Sequence, residues 1–239
     1  MTNGRLASRR ALLSNLDHSP GEARRSRAVD SMDGLQQKAL ELLSSEASHK
    51  ALRLSEESPA TRESYGRNRY GQSTLLARRL IEAGTRMVTI SWAPDANATW
   101  DTHSGNFQKL KTTLLPQFDA ACASLLTDLD ERGMLERTLV AVLGDFGRTP
   151  KINGNNAGRD HWNYCYSLML FGGGFKQGLI HGSSNKIGAY PERSPMIPAD
   201  VIATLYHLLG IDHEQLLYDR LDRTHALVPA GNVAADLIA

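Results

Sequence analysis

Sulfur is scarce in this chain, and no long apolar run interrupts it. Only two cysteines occur, Cys122 and Cys165, in neither a C-x-x-C pair nor a Cys/His metal spacing, so a zinc knuckle or a disulfide-rich scaffold is excluded. Both thiols are expected among core residues. No stretch approaches the roughly 18 apolar residues of a membrane-spanning helix, and the opening MTNGRLASRRALLSNLD has basic residues without the apolar centre of an export signal. An excess of one charge is missing too: 27 Lys and Arg face 26 Asp and Glu, which leaves no overall field to draw nucleic acid or an anionic membrane. Partners must therefore be sought at local sites. Oligomeric state leaves no mark in the sequence.

What is present suits a globular α/β protein: 239 residues, of which 41% are hydrophobic, are enough for one sizeable core. Residues 1–66 read as a polar, partly helical peripheral region, with Leu35, Ala39, Leu42 and Leu43 on one helical face. Residues 67–239 read as the core. Within it STLLARRLIEAG is predicted helical, with Ser73 as N-cap and Gly84 as the left-handed stop, and RMVTISW follows as a strand. A second helix carries Phe118, Cys122, Leu125 and Leu129 on one face, with Pro116 in its first turn and Gly133 at its end. Thr138–Leu143 and Tyr166–Phe171 read as strands buried on both faces, and PADVIATLYHLLG as a last helix stopped by Gly210. This order predicts an α/β fold with a central, mostly parallel or mixed sheet covered by helices on both faces.

The chemistry concentrates after the apolar run, in GDFGRTPKINGNNAGRDHW. Ligands of open α/β sheets bind beyond the carboxyl ends of strands, where Asp145 falls. His161 follows Asp145 by 16 residues, far enough for the loop to fold its end back beside its beginning. WDTHSGNF places Asp101 and His103 after another predicted strand, on the same edge of a parallel sheet. Asp101, His103, Asp145, Asp160 and His161 thus form a mixed oxygen and nitrogen set suited to zinc, manganese or calcium. Arg148 and Arg159 are candidate clamps for an anion, since guanidinium binds phosphate or sulfate oxygens in pairs. The plainer alternative stands beside this one: the carboxylates orient their neighbours, and the histidines are hydrogen-bonded parts of the structure. Gly172–Gly174 lacks the P-loop pattern and reads as a turn; His207 reads as a core or surface histidine.

In order along the chain, WDTHSGNF, LDERGMLERTLVAVLGDFGRTPKI, GRDHW, LFGGGFKQGLIHG and PADVIATLYHLLGID resemble a bacterial family, domain-of-unknown-function family 1501. The likeness runs from about Arg67 to Asp212 and weakly back to GRLASRRALLSNLD. Family members usually carry GEFGRTP where this chain has GDFGRTP. The family is grouped with the alkaline phosphatase and sulfatase-like superfamily, so the resemblance implies a metal-assisted hydrolase of phosphate or sulfate esters, acting on an anionic small molecule or a polysaccharide ester. Asp145 and His161 match the superfamily's acidic residue at a strand end and later His. Asp101 and His103 resemble its other Asp and His pair, at a tighter D-x-H spacing. Full-length relatives carry an export signal, a first strand with a further metal-binding Asp, and then the nucleophile. On that resemblance the fold is incomplete at its N-terminus. A catalytically inactive binding or scaffold protein retaining the fold is the alternative.

Overall fold

In a computed structural model of the chain, residues 45–92 and 100–239 are described, with residues 4–5, 8, 11–12 and 34–35. Residues 36–44, which hold most of the helical face predicted around Leu42, lie outside them. The chain divides into two compact units, Met1–Ile90 and Ser91–Ala239.

Side-chain caps set the helices of the first unit. Ser58 accepts from the Thr61 N–H at 3.0 Å to open α2, Pro59–Ser64, after α1, Glu46–Leu52. α3 spans Arg69–Glu82, because Asn68 accepts from the N–H groups of Tyr70 and Gly71, each at 3.0 Å. The start predicted at Ser73 is corrected by more than a turn: Asn68 is the better cap, and no residue between them forbids helix. Gly84 closes α3 as predicted, with positive φ and the Thr85 N–H reaching back to the Leu80 carbonyl at 2.9 Å. α3 packs on α1, and its Leu75, Tyr70 and Ala77 are buried.

Between these helices lies a buried charge cluster. Arg78 and Arg79 both meet Glu57, at 2.8 Å from Arg78 and in a shorter contact from Arg79. The three side chains are 1%, 9% and 10% exposed, respectively for Arg78, Arg79 and Glu57. Arg79 also donates to the Ala51 carbonyl at 2.9 Å, stapling α3 to the end of α1. Burial works to raise the Glu57 pKa, but the hydrogen bonds and charges of Arg79 and Arg78 outweigh it and hold the carboxyl below its ordinary 4.5.

The second unit is built on α4, Asn106–Lys109, which runs through a π-helical turn, Leu110–Leu114, into α5, Leu115–Glu131. Pro116 sits in the first turn of α5 and Gly133 ends it with positive φ, both as predicted. Leu114, Ala121 and Leu129 are buried along one face, and Trp92 and Trp100 meet Phe118 edge-on at 5.9 and 6.0 Å. Cys122 and Cys165 are half-buried free thiols. α6, Pro198–Leu208, closes at Gly210 by the same device, and its Asp200 accepts from the N–H groups of Ile197 and Asn232, each at 2.9 Å.

The strands are shorter than predicted and pair in one sense. Among the described residues they form four two-stranded antiparallel sheets: β1, Val140–Val142, with β4, Met169–Phe171; β2, Gly147–Arg148, with β3, His161–Trp162; β5, Ser183–Ser184, with β6, Pro191–Arg193; β7, Leu216–Tyr218, with β8, Thr224–Ala226. A parallel return needs a long crossover, usually a helix, and the chain from β1 to β4 holds a ribbon and turns instead. Nor is β1 buried on both faces, since Ala141 and Leu143 are exposed. Arg86–Trp92 forms no ladder among the described residues, although Val88, Ile90 and Trp92 are half-buried and alternate with exposed neighbours. Gly172–Gly174 makes a turn after β4.

Replacing Glu57 by Gln removes the carboxylate that both guanidinium groups share and leaves Arg78 with Glu82 at 2.7 Å and Arg79 with Glu56 at 3.4 Å, a loss of about 1.5–3 kcal/mol at neutral pH. Because the folded pKa is depressed, the carboxylate's contribution is complete above pH 4.5 and is lost as pH falls through the lower folded value. Urea unfolding curves of wild type and E57Q should therefore differ at pH 7 and converge in acid. Equal midpoints at pH 7 would show the cluster to be dispensable.

Candidate metal centre

Two loops of the second unit meet backbone to backbone. The first, Trp100–Gly105, is held from below: the buried Thr102 hydroxyl donates to the buried Asn106 amide oxygen at 2.6 Å, on the first residue of α4. The second is the loop from Thr149 to Asp160, whose ends are fixed where Arg148 pairs with His161 across the β2–β3 ribbon. Inside it the Thr149 N–H donates to the Asp160 carbonyl at 2.9 Å and the Asn153 N–H to the Gly158 carbonyl at 2.9 Å.

Hydrogen bonds then join the loops. The Arg159 N–H donates to the Thr102 carbonyl at 3.1 Å, the Gly105 N–H to the Asn156 carbonyl at 3.0 Å, and the Asn153 amide to the His103 carbonyl at 3.1 Å. Gly158 is required at this seam: a Cβ there would lie 1.7 Å from the His103 carbonyl oxygen, a distance no side chain tolerates.

This docking brings Asp101, His103 and His161 together. One ligand atom from each lies within 4.8 Å of the others, so that a small inward shift would bring all three to the roughly 3.3 Å spacing of ligands around a tetrahedral zinc. The His103 and His161 rings are 4.5 Å apart, and Phe146 covers His161 with its ring 4.2 Å away. His103 contacts the Asp101 carboxylate through Nδ1. Slight burial works to raise the Asp101 pKa, but His103 and then Arg148 outweigh it and hold the carboxyl below the usual carboxylate range. The group is therefore ionised, as a ligand must be. One carboxylate and two imidazoles suit zinc or manganese better than calcium, which prefers an all-oxygen shell.

The other sequence candidates take different places. Asp145 is exposed in the turn before β2 and stands outside that group. Asp160 is also outside it, accepting from the Asn153 amide at 2.9 Å. Arg159 is spent on its own loop, its Nε donating to the Thr149 carbonyl at 2.6 Å. Arg148 reaches the centre itself, with Nη2 3.2 Å from Asp101 Oδ1 and 2.9 Å from the Trp100 carbonyl. Away from the centre, His207 is exposed, His181 pairs with Asp236 at 2.9 Å and His225 lies 3.5 Å from Asp219. Asn153, which ties Asp160 to the His103 backbone, escaped the sequence reading; its only signal was a place in the turn-forming run NGNN.

The chain belongs to the family described as "Protein of unknown function (DUF1501)", whose model matches residues 1–238. No curated protein and no solved structure matches it. Among the described residues, no helix is long and apolar enough to cross a membrane.

Gly158→Ala should force the two loops apart at His103, at a cost of about 1–3 kcal/mol. Thermal unfolding would register the loss, and the midpoint of Gly154→Ala, at a position open to a side chain in the same loop, should move less. Equal shifts would remove the seam as the constraint on His103.

Proposed function

We propose that the second unit carries a divalent-metal centre of a phosphate or sulfate ester hydrolase, with Asp101, His103 and His161 as ligands. The convergence of that carboxylate with those two imidazoles carries the reading. The alkaline-phosphatase-like α/β placement, and an anionic small molecule or polysaccharide ester as substrate, belong to the same proposal and rest on the motif resemblance.

A divalent cation held there supplies Lewis-acid polarisation of an ester oxygen. The chain's own contribution is positional. Asp101 is kept ionised by its hydrogen bonds with His103 and Arg148, and Phe146 fixes one face of the His161 ring. Arg148 is the cation placed to meet the anionic group of the ester, since its side chain already borders Asp101. Asp145, exposed near the start of the ribbon, remains a candidate for a further ligand. A second reading, a binding protein without catalysis, is favoured by one observation: the Thr102 hydroxyl between Asp101 and His103 is buried and bonded to Asn106, and so is not free to attack an ester.

Metal analysis of the purified chain should find zinc or manganese in wild type and at least a tenfold lower content, as an order of magnitude on the order of one lost ligand's affinity, in Asp101→Ala and His161→Ala. Metal-free wild type, unchanged in melting temperature by added zinc or manganese, would end this reading. Where metal is present, turnover of aryl phosphate and aryl sulfate esters separates the hydrolase from the binder.

A further inference from the structure

The Arg148 guanidinium has three oxygen acceptors and an imidazole around it. Nη2 meets the Trp100 carbonyl at 2.9 Å and Asp101 Oδ1 at 3.2 Å; Nη1 meets the Arg159 carbonyl at 3.2 Å and lies 3.4 Å from His103 Nδ1. Two of these four atoms belong to residues of the metal-ligand group, and two are backbone carbonyls on either side of the seam. The side chain is 20% exposed, against 57% for Asp101. A permanent cation thus already stands where a second cation would bind.

Resting on the metal reading above, we propose that Arg148 is the resident counter-cation of this centre. Its guanidinium and a divalent ion compete for Asp101, and loading of the ion turns the guanidinium outward to hold the anion. Two positive groups sharing one carboxylate oxygen repel each other, so the arginine gives up Asp101 when the ion arrives. The Trp100 and Arg159 carbonyls keep it tethered at the rim. A guanidinium relieved of its carboxylate has free N–H donors in the fork that matches a phosphate or sulfate group. Metal and anion are then linked: each tightens the binding of the other by the same factor. Arg148 acts here as a positioning residue with opposite effects on the two ligands. It opposes the metal and supports the anion.

Calorimetric titration of manganese chloride into the full chain tests this, with sodium sulfate or sodium chloride at matched ionic strength as background. R148Q should bind manganese about tenfold more tightly than wild type, whereas R148K, which keeps the charge, should stay within about twofold of it. Sulfate should tighten manganese binding to wild type and leave R148Q unchanged. A purely structural arginine predicts the reverse, since losing the tie between loops loosens the ligand group and weakens binding. Manganese bound equally or less tightly by R148Q, or an undiminished sulfate effect in it, overturns the proposal while leaving the metal centre standing. No manganese binding in any of these chains overturns both. Far-UV circular dichroism checks the folding of R148Q; should it fail to fold, absence of any sulfate effect in wild type overturns the competition by itself.

Discussion

The contact between the Gly158 backbone and the His103 carbonyl governs the geometry of the second unit's centre. Neither loop is held by regular structure alone: the Trp100–Gly105 loop has one side-chain tie to α4, and the β2–β3 ribbon is two residues long on each strand, too short to be stable alone. What fixes both is their mutual docking. Hydrogen bonds from Arg159, Gly105, Asn153 and Arg148 cross the seam, each with a net worth of about 1 kcal/mol. They form only if the backbones approach as closely as a glycine permits. The ligand group is thus a consequence of backbone packing, with Thr102 and Asn106 anchoring one side to α4 and the Arg148–His161 pair anchoring the other.

How much of this was legible in the sequence follows from how local each signal is. Helix ends were readable because a glycine at the stop acts within one turn: Gly84, Gly133 and Gly210 all have positive φ where the helices close. The start of α3 was misread because a cap is a choice between neighbours, and Asn68 outcompetes Ser73 through two N–H contacts that no propensity reveals. Strand pairing was harder. An apolar run such as Thr138–Leu143 reads alike whether its partner is parallel or antiparallel, and the partner lies far along the chain at Met169–Phe171.

The centre was readable in part for the same reason. Loops rich in Asp, His and Gly stand out in the sequence, and the two that hold these candidates do meet. Which carboxylate joins the histidines was not readable, because Asp101, Asp145 and Asp160 carry the same local signal. The ribbon register decides among them. It sets Arg148 opposite His161, while docking of the Trp100–Gly105 loop supplies Asp101 and His103. Asp160 is drawn instead to Asn153. Arg159, equal to Arg148 by composition, faces its own loop carbonyls and so contributes order in place of charge.

Glu57 and Asp101 each lie between two cationic or basic groups, with different physical outcomes. Glu57 lies between the buried Arg78 and Arg79 with only 10% of its own side chain exposed, so water cannot readily replace it as their shared partner. That arrangement is fixed by its own desolvation and serves the fold. Asp101 lies between His103 and Arg148 with more than half of its side chain exposed, at 57%. Water can stand in for a lost partner there, and an exposed ion pair is worth about 1 kcal/mol or less. Burial, not composition, separates the charge cluster that ties the helices of the first unit from the solvent-facing one at Asp101.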